Sequence, residues 1–590
     1  MRLSTQIWKE CESRLGRIKL GRCEGRVLQE VDSVSERLCL VLDELNAKAN
    51  LDLNSEARSA AREEFLVLSE HVQAINTDPE IYSRLKQDQA IMSQEGERVK
   101  SRLLMEFEWE GASLPNLESR KKVSQMQNEL REKEYLAELE YQSLGQNRPK
   151  MKLVVAPGEK ELEVDNSDEV FHSVMFHESN PSLRKQVYDL HFASDAALDR
   201  FAETRQGLRE SRHSIANALG FPTHAHFAAN RNMANDPAQV ESFLRQLAGE
   251  IKPIVQAKLG NAQRMHEWEF QRQAHVQTSS AASEAKLNGF FSLEQSLRGI
   301  ALLCEHLFDV RLERRTVGEF RVYNDQEFVG IIELDLAQRE AKNPHPCLFP
   351  LRTSCGTNEF APARAIVSCA FGEHVGHAGF RALMHEFGHA LHTVLSKTEF
   401  QHLSGTRGEV DFIETPSSLL ERMAWDKHVI AFMDQGGKYF APGELDDLHR
   451  KRVGFAAFDL QEQVFHSLFD LNFHLHVSKP ENDLYWGLKH ECGPFLVPQH
   501  SANVRRELFF PHVLGSAYAG SVYSYVWGAA LTCDLWDALF ANDPLNPESG
   551  RRLKRELFEK GGAAAPHQVM TALVGRSQVD SRALLKDIQI

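Results

Sequence analysis

Along most of this chain apolar side chains return every third or fourth position, the period of a helix with one buried face. Residues 1 to about 145 are dense in Glu, Lys, Arg, Leu and Gln and carry few Gly or Pro. A stretch such as "SRKKVSQMQNELREKEYLAELEYQSL" runs on good helix formers without a breaker, so several long helices are expected. The pattern stops at "GQNRPK". "MKLVVAPGEKELEV" then reads as two short strands around Pro157-Gly158, and a boundary between an N-terminal helical region (1–150) and the remaining chain (151–590) is placed here. Helical periodicity resumes from about 165 to 270 and ends at "TSSAASEAKLNG" (278–289), a run of small residues expected to be an exposed connection. Between about 317 and 371 the signals change. "GEFRVYNDQEF", "VGIIELDLAQRE" and "ARAIVSCAF" are rich in Val, Ile, Phe and Tyr and bounded by turn residues, which predicts a small sheet. From 377 onward helices dominate again, and there is no internal repeat. The expected class is mainly α with a small β-sheet.

The helix that follows this sheet carries the candidate chemistry. In "FRALMHEFGHALHTVL" (380–395), Phe380, Leu383, Met384, Phe387, Leu391 and Val394 form a core-facing stripe, while His385 and His389 share a neighbouring arc. Two imidazoles one turn apart can aim their outer nitrogens at one point, which a metal ion needs from a single helix. Glu386 then faces the water such an ion would bind and can take its proton. The string fixes only three positions, however, and a chain with 26 histidines meets it by chance at a rate of roughly several per cent. Polar residues on an ordinary helix are therefore the alternative until a third donor is found. His392 lies about a turn too far along the axis and reads as a residue that supports the ligands from behind or packs in the core. Glu414 stands in "DFIETPSSLLERMAWD", where Phe412, Leu419, Leu420 and Met423 make a second stripe and Pro416 requires a helix start nearby. If the two helices cross, Glu414 reaches the metal; otherwise it is a solvated carboxylate.

Composition narrows the function classes. At 590 residues the chain exceeds one compact core, so two or more lobes are expected. Hydrophobic residues at 42% and charged residues at 26% describe a folded, soluble protein. A formal net charge of −15 argues against sequence-independent nucleic-acid binding and favours a cationic or neutral ligand. The nine cysteines are odd in number and never spaced C-x-x-C, so neither a disulfide framework nor a thiolate zinc site is readable, and a reducing interior is expected. The most apolar run, "VWGAALTCDLWDALF", is too short for a membrane span and is interrupted by Asp534. At the N-terminus Arg2, Lys9, Arg14, Arg17, Lys19, Arg22 and Arg26 suit a mitochondrial transit peptide, but Glu10, Glu12 and Glu24 favour an ordinary surface helix.

On these residues the segment "FRALMHEFGHALHTVLSKTEFQHLSGTRGEVDFIETPSSLLERMAWD" resembles the signature of the M3 zinc oligopeptidases, the thimet oligopeptidase and neurolysin group. Within that family "TEFQHLSGTR" is most similar to the mitochondrial intermediate peptidase branch. "IELDLAQREAKNPHPCLF", "FFPHVLGSAYAGSVYSYVW" and "LVGRSQVDSRALL" resemble the family's sheet segment, tyrosine-bearing loop and C-terminal end, and the likeness is clear over roughly 165–590. The resemblance implies one Zn2+ held by His385, His389 and Glu414, with Glu386 as general base. It gives Tyr518 and Tyr525 the role of donors to a developing oxyanion, with Tyr523 as a packing aromatic. His512 is carried over one residue out of register. Val522 stands where the family commonly has tyrosine, "GSAY" replaces a more glycine-rich turn and Ala341 replaces a glycine.

The implied fold is two mainly helical lobes flanking a deep channel with a zincin-type site on its floor, 151–590 being the catalytic region. The implied activity is hydrolysis of short or unfolded peptides by a monomer, namely removal of N-terminal octapeptides from imported precursors in the mitochondrial matrix. The alternatives are a general oligopeptidase, including one in the cytoplasm, and a catalytically silent homologue that only binds peptides. "ARAIVSCAF", just before the metal helix, is the strand expected to offer its edge to an extended peptide, the alternative being a fully paired inner strand.

Overall fold

Short polar residues start the helices that the apolar period predicts. Asn54 accepts from the amides of Glu56 and Ala57, Asp78 from those of Glu80 and Ile81, and Ser93 from that of Gly96; each such cap contributes about 1 kcal/mol. The computed structural model describes residues 3–589 apart from 24–25, 91, 147, 149, 155–161, 260–264, 279–280, 340–341, 343–344, 357–360, 373, 436–438, 442, 455, 494–503 and 516. The chain is mainly helical and divides into two units, each built from separated segments. The first comprises Met1–Ser124, Ser283–His449 and Gly528–Val579; the second comprises Gln125–Ala282, Arg450–Trp527 and Asp580–Ile590.

In the first unit, helices Leu3–Lys19, Val27–Leu51, Ser55–Asn76, Pro79–Gln87 and Gln94–Trp109 share one apolar core. Cys11, Leu15 and Ile18 of the first helix are buried in it, so that segment packs as an integral helix. Phe400 and Leu403 belong to the same core, which ties the loop after the metal helix to the N-terminal helices.

The sheet has five strands, β3 (Val310–Thr316), β4 (Glu319–Asn324), β5 (Glu327–Ala337), β6 (Cys347–Arg352) and β7 (Ala363–Phe371), in the order β3-β4-β5-β7-β6. Only the β5–β7 pair is parallel. Helix Gly376–Leu395 packs on this sheet. Its stripe, Phe380, Leu383, Met384, Phe387, Leu391 and Val394, is fully buried, and the Phe387 ring meets the Phe320 ring edge-on at 6.2 Å. Close seating depends on Gly330, where a Cβ would fall 2.5 Å from the Ala363 carbonyl oxygen and 2.7 Å from Val394 Cγ1.

The second unit carries a small antiparallel hairpin, β1 (Met151–Leu153) with β2 (Leu162–Val164), as the alternation predicts. The Pro157-Gly158 turn lies outside the described residues, as does Ala341. Helix Ala196–Ala218 buries three arginines, Arg205, Arg209 and Arg212, at spacings of four and three. Buried guanidiniums are tolerable only when their donors are answered. Arg209 Nε donates to the Phe473 carbonyl (2.5 Å) and Nη1 to that of Lys479 (2.8 Å), while Arg205 pairs with Glu481 and Arg212 with Glu134.

Three expectations need correcting. Residues Ala281–Phe290 form a helix rather than an exposed connection; Ala, Ser, Glu and Lys are all compatible with one, and glycine enters only near its end. The strands β3 and β6 were not predicted, because "VRLERRT" is masked by its charges and "CLFPLR" by Pro350, which a sheet accepts at its edge. The third concerns "ARAIVSCAF". That strand, β7, is paired on both sides, with β5 and with β6, so its main chain cannot receive a peptide; the sheet's edges are β3 and β6.

Phe387→Ala should therefore destabilise the first unit by about 3–5 kcal/mol, read as a lowered urea midpoint and faster amide exchange in both the helix and the sheet it covers.

Candidate metal centre

The two helices that carry the donors cross at a glycine. A Cβ on Gly388 would lie 2.5 Å from Ser417 Cα and 3.0 Å from the Pro416 carbonyl oxygen, so helix Thr415–Met423 can approach this closely only because the side chain is missing. Pro416 sits in the first turn of that helix, where its absent N–H costs nothing. Glu414, the residue before the helix, is thereby brought against both imidazoles. Its Oε2 lies 3.2 Å from His385 Nε2 and 3.0 Å from His389 Nε2. These donor atoms all lie within 4.8 Å of one another, the one such group of three found among the described residues. Donors about 2.1 Å from a tetrahedral metal sit roughly 3.4 Å apart, so the set fits such an ion. Ser417 Oγ donates to Glu414 Oε2 (3.1 Å) and to its carbonyl (2.8 Å), fixing the carboxylate.

The inner nitrogen of His385 is also engaged. Its Nδ1 donates to Glu421 Oε2 (3.2 Å), and Arg381 donates to Glu421 Oε1 (2.7 Å) while its guanidinium lies over the Trp425 ring at 4.7 Å. This leaves Nε2 to carry either a shared proton or a metal. Sequence reasoning missed Glu421, Arg381 and Gly388. The signal was present in the spacing: Glu421 follows Glu414 by two helical turns, and Arg381 precedes His385 by one.

Burial and charge act together here. Burial opposes a charged His385, but its hydrogen bonds to Glu414 and Glu421 outweigh this and lift its pKa to about 10. Burial would raise Glu414, yet the two histidines hold its carboxyl well below the usual carboxylate range. Glu386 is buried, and that burial raises its pKa against the opposing pull of His389 and His385. Its Oε2 is buried without a hydrogen-bond partner, so an acceptor stands ready beside the donor cluster. His392 is a packing residue; burial lowers its pKa to about 3 and neither ring nitrogen finds a partner.

The loop between the two donor-bearing helices is clamped by the N-terminal helices. The amides of Gln401 and His402 donate to the two oxygens of buried Asp32 (3.0 Å each), His402 meets Glu106 at 2.9 Å, and Arg98 reaches Glu409 at 2.8 Å.

Tyr518, Tyr525 and His512 belong to the second unit. The rings of Tyr518 and Tyr525 stack at 5.2 Å; His512 meets Tyr525 edge-on at 6.0 Å and stacks on Phe510 at 5.0 Å, which in turn stacks on His466 at 4.7 Å. Tyr525 is 40% exposed, whereas Tyr523 is buried and its hydroxyl accepts from Asn232 (3.0 Å). Val522 is buried too, so the hydrocarbon side chain at that position faces the core.

The sequence model of peptidase family M3 matches residues 174–590. The chain belongs to peptidase family M3. It is thus a metallopeptidase with a His-His-Glu cluster. This M3 peptidase is 24% identical to the mitochondrial intermediate peptidase of Arabidopsis thaliana, over 93% of its own length and 87% of the relative's. It is 23% identical to the protein of that name from Malassezia globosa, over 94% and 80%. Oligopeptidase A of Salmonella typhimurium is 26% identical over 69% of this chain and 66% of its own.

Two outcomes follow for the M3 peptidase. Gly388→Ala should push the helices apart and weaken metal retention by roughly 10- to 100-fold, as should Glu421→Gln, both measured by competition with a chelator. Metal must also displace the proton that His385 holds up to about 10, so apparent affinity should fall as pH is lowered from about 8 to about 6, by up to tenfold per unit. Titration calorimetry in buffers of different ionisation enthalpy should record the released proton.

Proposed function

We propose that this M3 peptidase is a zinc endopeptidase cleaving short or unfolded peptides, with His385, His389 and Glu414 as ligands and Glu386 as general base. The observation that carries this reading is the convergence of both Nε2 atoms on Glu414 Oε2 beside a buried, unpartnered oxygen of Glu386. Two imidazoles and a carboxylate suit zinc, with manganese and cobalt the other metals such donors accept. When bound, the ion would polarise the scissile carbonyl and acidify the attacking water.

The chain's own residues supply the rest. Glu386 Oε2 takes the water proton and returns it to the leaving amine, a task suited to a carboxyl whose basicity burial has raised. Glu421 fixes the His385 tautomer, and Ser417 holds Glu414 in place. Tyr518 and Tyr525 donate to the oxyanion, and His512 steadies Tyr525 through their ring contact; the support is family resemblance together with the exposure and stacking of the phenols. Residues 151–590 form the catalytic region, and the helices within 1–150 that carry Asp32, Arg98 and Glu106 brace the loop between the proposed ligands.

Similarity to mitochondrial intermediate peptidases over most of both chains supports release of N-terminal octapeptides from imported precursors in the mitochondrial matrix; we infer that the protein acts as a monomer. Similarity to oligopeptidase A supports the second reading, a general oligopeptidase. Mass analysis of products decides between them: one octapeptide from a presequence-bearing precursor supports the first, and broad cleavage of unrelated short peptides supports the second. Glu386→Gln should keep its metal and lose about 10²- to 10⁴-fold in turnover of a quenched peptide. Near-normal turnover in that variant would remove Glu386 from the mechanism, and a metal-loaded wild type inert toward every peptide would favour a silent peptide-binding role.

A further inference from the structure

Buried polar side chains outside the chemistry above grip the tyrosine segment on both sides. On its N-terminal side Arg205 Nη1 donates to the Phe510 carbonyl (2.9 Å), and Arg212 donates to the carbonyls of Val513 (2.5 Å) and Leu514 (2.6 Å). On its C-terminal side the amide of Gly520 donates to Asp470 Oδ1 (3.0 Å) and that of Val522 to Asp470 Oδ2 (3.1 Å). His224 Nε2 donates to the Ala519 carbonyl (3.1 Å), and Asn232 donates to Ser521 Oγ (3.1 Å). Gly520 has φ +78°, and a Cβ there would meet Ala228 Cβ at 3.1 Å, so the gripped turn also needs glycine.

Both phenol-bearing residues hang from this gripped backbone. The Ser521 amide donates to the Tyr518 carbonyl (2.7 Å), and the Tyr525 amide donates to the Val522 carbonyl (3.3 Å). Asp470 itself is fully buried on helix Ala456–Leu475, where His474 Nδ1 donates to its carbonyl oxygen at 2.9 Å and lies 3.1 Å from Oδ1. A carboxylate removed from water is tolerated only when its oxygens are answered by donors. One buried carboxylate thus ties the amides of Gly520 and Val522 to helix Ala456–Leu475.

We propose that Asp470 is a positioning residue for peptide hydrolysis: by holding the Gly520 and Val522 amides it sets where Tyr518 and Tyr525 present their hydroxyls. This rests on the reading of those tyrosines as oxyanion donors. Asp470→Asn keeps the shape but turns an NH2 group toward one of the two amides.

In the full-length, metal-loaded chain Asp470→Asn should lower kcat for a quenched peptide roughly 10- to 100-fold, with KM and metal content unchanged. The amides of Gly520 and Val522 should exchange faster. In a chain already carrying Tyr518→Phe and Tyr525→Phe, the same substitution should cost under about threefold, because the hydroxyls it would misplace are gone. An equal loss in both backgrounds, or an unchanged kcat, overturns the proposal. Should Asp470→Asn fail to fold, Asn232→Ala removes only the donors to Ser521 and Tyr523 and should give the same pattern at smaller amplitude; additive losses there overturn it equally. A wild type with no turnover sinks the peptidase reading, whereas an active wild type with a fully active Asp470→Asn sinks only the mount.

Discussion

The close approach of two helix backbones at Gly388 is the constraint on which the metal centre depends. Helix Gly376–Leu395 supplies both imidazoles and the candidate base, but one helix offers only two donors in the required direction. The third must come from another element, and a carboxylate side chain is short. Only where Ser417 Cα can pack against the bare face of Gly388 does Glu414 Oε2 come within about 3 Å of both rings. Gly330 plays a comparable part on the other side of the helix, letting Val394 settle onto the sheet. Two missing side chains therefore set the position of the helix between its neighbours, and the donor geometry follows.

Around that contact the structure arranges charge so that few groups stand alone. Arg381, Glu421, His385 and Glu414 form an alternating series of cation and anion, and each member is stabilised by the next. The exceptions here are Glu386 Oε2, His389 Nδ1 and Arg381 Nε, each buried without a hydrogen-bond partner. A protein interior tolerates such an atom only at a cost, and on Glu386 it is consistent with the role of base proposed above. The second unit repeats the principle in another form. Its buried arginines and Asp470 bind backbone groups as well as charged partners, so they hold main chain in place.

Much of this could be read from the amino-acid order because it is periodic. The apolar stripe of the metal helix and the proline-marked start of the helix after Glu414 depend on local spacing, and both lie where periodicity puts them. Strands β4, β5 and β7 were legible from their β-branched and aromatic content. What escaped was set by distant partners. That β7 lies between β5 and β6 is a property of sheet order, and no local pattern states it. The helix Ala281–Phe290 was hidden by small residues that suit a loop equally well. Gly388 looks like any helical glycine until its neighbour across the crossing is known, and Arg205, Arg209 and Arg212 look like a solvated face until the carbonyls they answer are in view.

The three-part make-up of the first unit bears on how the protein is made. Arg98, near the start of the chain, donates to the carbonyl of Gly562, near its end, and the metal helix lies in the segment between. A nascent chain emerging from the ribosome therefore cannot complete this unit until residue 562 has been synthesised. Until then helix Gly376–Leu395 lacks its neighbour Lys554–Phe558, so newly made protein should lean on chaperones during that interval.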